Sequence, residues 1–284
     1  RLGQPRLGKP ISSELGGVGP AIVVPGPWSE ADLRYQAEHL ATMKLHNGGS
    51  NCVAAQVLVL PREWALREPL VAEIRRLFAT LPPRHAHYPG AADRWRMAVE
   101  AHPEGERFAG DVPRTLIAGL DPAREDEVCF NAEFFGAVLA ETSLPGADAA
   151  RFLDAAVDFC NERLDGSLGA TLLVHPKTQR ELGDRLERAL MRLRYGAIGV
   201  NVWNAAGFLV AQCPWGAYPG HTLEDVSSGR GSVDDSDRPA PPRHAVRAGD
   251  PHALLRRRHG RLPAGARCTG GRHPAVVAAG RFPA

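Results

Sequence analysis

Paired cysteines, long apolar runs and a strong charge excess are all missing from this chain of 284 residues. Its five cysteines, Cys52, Cys129, Cys160, Cys213 and Cys268, are odd in number, far apart and without a CxxC pair. That pattern excludes a disulfide framework and a structural zinc site, and a reducing cytoplasm is the expected compartment. No stretch of about 18 apolar residues occurs, so no membrane-spanning helix is expected. No charged-then-apolar leader opens the chain, so no signal peptide is expected either. The formal net charge of +2 carries no electrostatic footprint for nucleic acid or a membrane surface in the main body. His39, His46, His85, His87 and His102 show no metal-ligand spacing beyond a short HAH, and no metal is expected. A strand-GxGxxG-helix fingerprint is also lacking, because the glycines at 15–17 read only LGG.

What is present is ordinary globular material, 44% hydrophobic, enough for a sizeable core. AIVV at 21–24 reads as a buried strand. Ser29 with Asp32 three residues on reads as a capping box, followed by Leu33, Ala37, Leu40 and Ala41 at helical spacing, with Gly48 and Gly49 as the stop. A strand at 54–61 and a helix over 62–81, broken or bounded at Pro69, repeat the pattern. Residues 82–127 are rich in Pro, Gly, His and charge and predict surface structure with few long elements, RTLIAGL being the best strand candidate. Order returns with a strand near 138–142, a helix over 147–163, a strand over 169–176, a helix over 177–194 and a strand over 195–203. Strands alternating with amphipathic helices predict an α/β fold in layers.

Beyond residue 233 the composition shifts. Residues 234–284 hold ten arginines, no lysine and one aromatic, Phe282, among many Pro, Gly and Ala. Such a segment is expected to be disordered or translated out of frame. The expected organisation is therefore one domain over 1–233 and a tail over 234–284. The chain does not begin with methionine and runs straight into apolar pattern, so it is expected to start inside a longer protein.

The stretch KLHNGGSNCVAA at 44–55 reads as a bent loop leading to Cys52. Cys52 is either a presented thiol or the first residue of a buried strand. Three other stretches bear on that choice: SSELGGVGP with Glu14, NAEFFGAVL with Glu133, and GAIGVNVWN followed by CPWGAYPG. Together the four resemble, in order, the E-L-G-G-x-x-P, N-x-G-Q-x-C, E-x-F-G-P-V and G-x-V-x-[IV]-N plus P-[FW]-G-G segments of the aldehyde dehydrogenase superfamily. SSGRG at 227–231 resembles the S-G-x-G that follows them. Ser50, Val18, Ala137 and Ala217 depart from the family's usual glutamine, lysine, proline and glycine, which suggests a divergent branch.

The resemblance implies a three-layer αβα catalytic domain and NAD(P)-dependent oxidation of an aldehyde to a carboxylic acid. It implies Cys52 as nucleophile, Glu14 as water-activating base, and Glu133 with Phe135 at the nicotinamide ribose. Asn201 is expected in the substrate pocket. The backbone N–H of Cys52 is implied as half of an oxyanion hole, the other half being an asparagine expected ahead of residue 1. The cofactor is NAD or NADP, and the choice belongs to a cofactor domain also expected outside this chain. The partners implied are a small-molecule aldehyde and further copies of the chain, as homodimer or homotetramer. FLVAQ at 208–212 and MKLH at 43–46 suggest a hydrophobic aldehyde. A second reading stays open, in which the chain is a truncated remnant acting at most as a binding or oligomerising module. So does a third, a CoA-acylating relative that uses the same cysteine.

Overall fold

The computed structural model describes residues 11–146, 148–209 and 215–231, together with the backbone of 244–247, 267–268 and 276–278. The elements are β1 (Ser13–Glu14), β2 (Gly19–Val23), α1 (Glu30–Leu45), β3 (Ala55–Pro61), α2 (Arg67–Thr80), α3 (Ala91–Ala101), β4 (Glu106–Arg107) and β5 (Thr115–Leu120). They continue with α4 (Val128–Asn131), β6 (Val138–Leu144), α5 (Ala149–Arg163), β7 (Gly169–Leu173), α6 (Pro176–Leu182), α7 (Asp184–Arg192) and β8 (Ala197–Val200). The last are β9 (Gly229–Arg230), β10 (His244–Arg247), β11 (Arg267–Cys268) and β12 (Val276–Ala278).

One sheet organises the molecule. Its central order is β8-β7-β2-β3-β6-β5, all parallel, with β4 antiparallel at one edge. Parallel strands have to be covered on both faces, and their alternating side chains do this. Ala21, Val23, Leu58, Leu60, Leu116 and Leu139 face α1 and α2, while Ile22, Val24, Val57, Val59, Ile117 and Ala140 face α5, α6 and α7. The expected three-layer αβα arrangement is what forms. The Ser29–Asp32 capping box opens α1 as the spacing predicts, with Asp32 N–H donating to Ser29 Oγ and Ser29 N–H to Asp32 Oδ2.

Two expectations are corrected. Residues 82–127 hold a regular helix of 11 residues, α3, whose buried face is made of small residues, Ala91, Ala98 and Val99, so its stripe is faint in the sequence. The single helix expected over 177–194 is two, α6 and α7, divided at Gly183, where φ is +49°. Pro69, by contrast, sits in the first turn of α2, where its missing N–H costs no helical bond. In the expected tail, β10 and β12 run parallel to β8, and the rest of 234–284 lies outside the described residues. Among the described residues no helix is long and apolar enough to cross a membrane.

Candidate active site

Because β2, β3 and β6 are parallel neighbours, their amino ends lie along one border of the sheet. Glu14 lies five residues before β2, Cys52 three before β3 and Glu133 five before β6, so the topology itself gathers them. The bend ahead of Cys52 explains its composition. Asn47, Gly48 and Gly49 have φ of 53°, 63° and 82°, three consecutive left-handed residues that reverse the chain after α1. At Gly49 a side chain would also run into the Gly136 carbonyl, which ties the bend to the loop after Glu133. Asn51 Nδ2 donates to the His46 carbonyl, and Ser50 Oγ donates to the Phe135 carbonyl, closing both sides.

Glu14 is held by the short antiparallel pair of β1 with β9, and Leu15 N–H donates to the Ser228 carbonyl. SSGRG thus braces the ELGG strand, since buried Ser228 also accepts from Ser167 N–H through its hydroxyl. Glu133 is aimed by buried Gln56 on β3. The Gln56 amide donates to the Cys129 and Ala132 carbonyls and accepts from Phe134 N–H, fixing the loop on both flanks of Glu133. The Glu133 carboxylate lies over Gly16, in space that any side chain there would fill, and accepts from Gly17 N–H.

The half-buried Cys52 thiol lies beside the Glu14 carboxylate, whose Oε1 is buried without a hydrogen-bond partner. Burial, then the charges of Glu14 and Glu133, push the thiol up to about 12, while its own backbone N–H works in the opposite sense. Burial likewise raises Glu133 to about 7, against the pull of Gly17 N–H, Lys44 and Arg94. Lys44, on the buried face of α1, donates Nζ to the Gly136 carbonyl, and burial lowers it to about 7. Phe135 has φ of 44°, and its ring meets Tyr88 edge-on at 4.8 Å.

Comparison with protein-family profiles finds no match. The chain is 26% identical over 212 residues to a coniferyl aldehyde dehydrogenase of Pseudomonas sp. (strain HR199 / DSM 7063), covering 68% of this chain and 40% of the relative. Its structure superimposes on an NAD-dependent aldehyde dehydrogenase from Sinorhizobium meliloti with a TM-score of 0.59 at 20% identity, covering 80% of this chain and 43% of that one. An NADP-dependent glyceraldehyde-3-phosphate dehydrogenase from Bacillus halodurans C-125, solved with NADP, gives 0.57 at 20% identity over 77% and 43%. This is the aldehyde dehydrogenase fold, present as a partial domain. The chain spans less than half the length of the relatives it matches.

Not every expected residue sits where aldehyde dehydrogenase chemistry would use it. Asn201 follows β8, so it lies at the carboxyl ends of the strands, opposite Cys52. Both ends of its amide are committed to Val174, Oδ1 accepting at 2.7 Å and Nδ2 donating at 2.9 Å, so it clamps the strand ends and does not line a pocket at the thiol. Of the expected apolar lining, Met43 is on the buried face of α1 in the core, Phe208 and Leu209 are exposed, and 210–212 lie outside the described residues. Sequence reasoning passed over Trp203, which packs in the same cluster as Cys52, donates Nε1 to the Val53 carbonyl and meets His46 edge-on at 5.5 Å. Lys44 was passed over as a charge too, although a lysine on an apolar helical stripe is a legible oddity. Away from the site, His102, Glu127 and Cys129 bring three metal-capable atoms within 4.8 Å of one another. His102 Nε2 pairs there with Glu127 Oε1 at 2.8 Å, which also accepts from Cys129 N–H, so the cluster is satisfied internally.

Proposed function

We propose that the chain carries the catalytic half of an NAD(P)-dependent aldehyde dehydrogenase, with Cys52 as nucleophile and Glu14 as base. The observation that carries this reading is the placement of the Cys52 thiol and the Glu14 carboxylate together ahead of β3 and β2, with Glu133 close enough to add its charge. The thiol is not ionised on its own, so attack on an aldehyde carbonyl is coupled to loss of its proton, and Glu14 is the acceptor in contact. The product of attack is a thiohemiacetal on Cys52. Loss of hydride, for which a bound nicotinamide would be the acceptor, leaves a thioester. Glu14, having passed the thiol's proton to solvent, then takes a proton from the water that releases the carboxylic acid and hands it to the departing thiolate, restoring the thiol. The backbone N–H of Cys52 is the donor available to the developing oxyanion.

The residues present fit the nicotinamide-ribose end of the cofactor. The two Glu133 oxygens, laid over Gly16 where no side chain intrudes, suit the adjacent hydroxyls of a ribose. A nicotinamide, when bound, supplies the hydride acceptor. Everything else in the reaction rests on this chain's thiol, carboxylates and backbone. The aldehyde class and the choice of NAD or NADP stay open in this proposal.

The test is reduced-nicotinamide formation by the purified chain with a panel of aliphatic and aromatic aldehydes and either cofactor, run beside Cys52→Ala. Turnover that vanishes in the variant supports the reading. A folded chain without turnover would favour the remnant reading, in which the fold persists without the activity.

A further inference from the structure

Lys44 stands out on its helix. It lies on the buried face of α1 beside Leu40, Ala41 and Met43, is only 1% exposed, and donates Nζ to the Gly136 carbonyl at 2.9 Å. Burying an ammonium against a neutral carbonyl is costly, and an apolar side chain would complete the same stripe without that cost. What the charge meets is the turn that presents Glu133. The Gly136 carbonyl takes the Lys44 bond on one side and on another fills the space that a side chain at Gly49 would need. Ser50 Oγ donates to the Phe135 carbonyl next to it, so α1 and the bend before Cys52 clip the turn at two consecutive residues. The turn needs holding, because Phe135 is a bulky residue at φ 44°, a conformation kept only where the surroundings impose it.

Lys44 and Glu133 also act on each other through their charges, each favouring the ionised form of the other against burial. Arg94 acts on Glu133 in the same sense as Lys44, and Glu14 in the opposite sense. We propose that Lys44 is a positioning residue for the nicotinamide ribose: from inside the core it pins the turn that presents Glu133, and its charge keeps that carboxylate ionised. The inference rests on the reading that Glu133 receives the ribose. An ionised carboxylate accepts on both oxygens, whereas a protonated one turns one of them into a donor. Lys44 therefore acts on the cofactor only through Glu133 and Gly136, and its loss shows as weaker binding.

The test uses Lys44→Met, which keeps the stem and the apolar stripe but removes the charge and the donor. Its first readout needs no turnover: carboxyl carbon-13 NMR of the glutamate-labelled chain, the Glu133 signal being the one missing in Glu133→Gln. Glu133 is expected to titrate at a pH about 0.5 or more higher in Lys44→Met than in wild type, and Lys44→Gln, a second neutral variant, should move it the same way. Ser50→Ala, which removes the companion bond but no charge, should leave it in place. The second readout is calorimetric binding of nicotinamide mononucleotide near neutral pH. Lys44→Met should weaken it about tenfold in the wild-type background and less than about twofold in Glu133→Gln, because the residue acts through Glu133. A Glu133 titration unmoved by both Lys44 variants, one moved as far by Ser50→Ala, or equal losses of affinity in the two backgrounds would each overturn the inference. A wild-type chain that binds no nucleotide would overturn the ribose reading and this inference with it. Binding without turnover would count against the catalytic reading alone.

Discussion

The two borders of one parallel sheet are built to opposite rules. At the carboxyl ends polar groups are matched: Asn201 closes on Val174, and Trp28 Nε1 donates to the Val24 carbonyl. At the amino ends they are left mismatched, with Glu14 Oε1 unpartnered, Cys52 and Glu133 shifted upward, Lys44 shifted downward, and left-handed backbone at 47–49 and Phe135. The strands between them are the same strands, so the difference lies in the loops alone. Open α/β sheets commonly bind at their carboxyl ends. Here the raised thiol and carboxylate and the lowered lysine gather at the other border, while the carboxyl border has a left-handed residue of its own, Asn201 at φ 57°, and a histidine, His175, lowered by burial. It is the cluster of interacting shifted groups that marks a functional site.

Breaking each border in turn separates chemistry from stability. Cys52→Ala at the amino ends is expected to lower reduced-nicotinamide formation roughly 10³-fold or more while leaving thermal unfolding within a few degrees of wild type. Asn201→Ala at the carboxyl ends should do the reverse. It strands the buried N–H and carbonyl of Val174, a loss of about 2–4 kcal/mol in denaturant unfolding, with little change in the thiol's reactivity.

A smaller effect lies in the pH dependence of stability. Glu133 has its folded value raised from 4.5 to about 7, so its contribution is present below pH 4.5 and is lost as pH rises toward 7. Lys44 has its folded value depressed from 10.5 to about 7, so its contribution is present above pH 10.5 and is lost as pH falls toward 7. The two windows do not overlap, and a shallow stability minimum near pH 7 is expected. Glu133→Gln should remove the acid-side slope and Lys44→Met the alkaline-side slope, each on the order of 1–2 kcal/mol in unfolding measured from pH 5 to 9.

The same contrast governs what the sequence reveals. β2, α1 and β3 are legible because apolar period, a capping box and paired glycines agree at one place. Glu14, Cys52 and Glu133 are legible as motif residues, and their convergence follows from parallel order alone. Asn201 is also a motif residue, but only register shows that it lies at the other border. Trp203 carries no local signal: its bond to the Val53 carbonyl joins residues 150 apart in the chain.

The central claim is that burial, reinforced by the Glu14 charge, keeps the Cys52 thiol protonated, and that Glu14 is the base proposed to take its proton. The most direct measurement is the rate of Cys52 alkylation by iodoacetamide against pH, read by peptide mass mapping, in wild type and Glu14→Gln. The thiol is expected to titrate well above the ordinary cysteine range, toward 12, and Glu14→Gln, by removing one of the charges that raises it, should speed alkylation at pH 8 about three- to tenfold. A wild-type thiol titrating below about 8.5, or one indifferent to Glu14→Gln, would contradict the account.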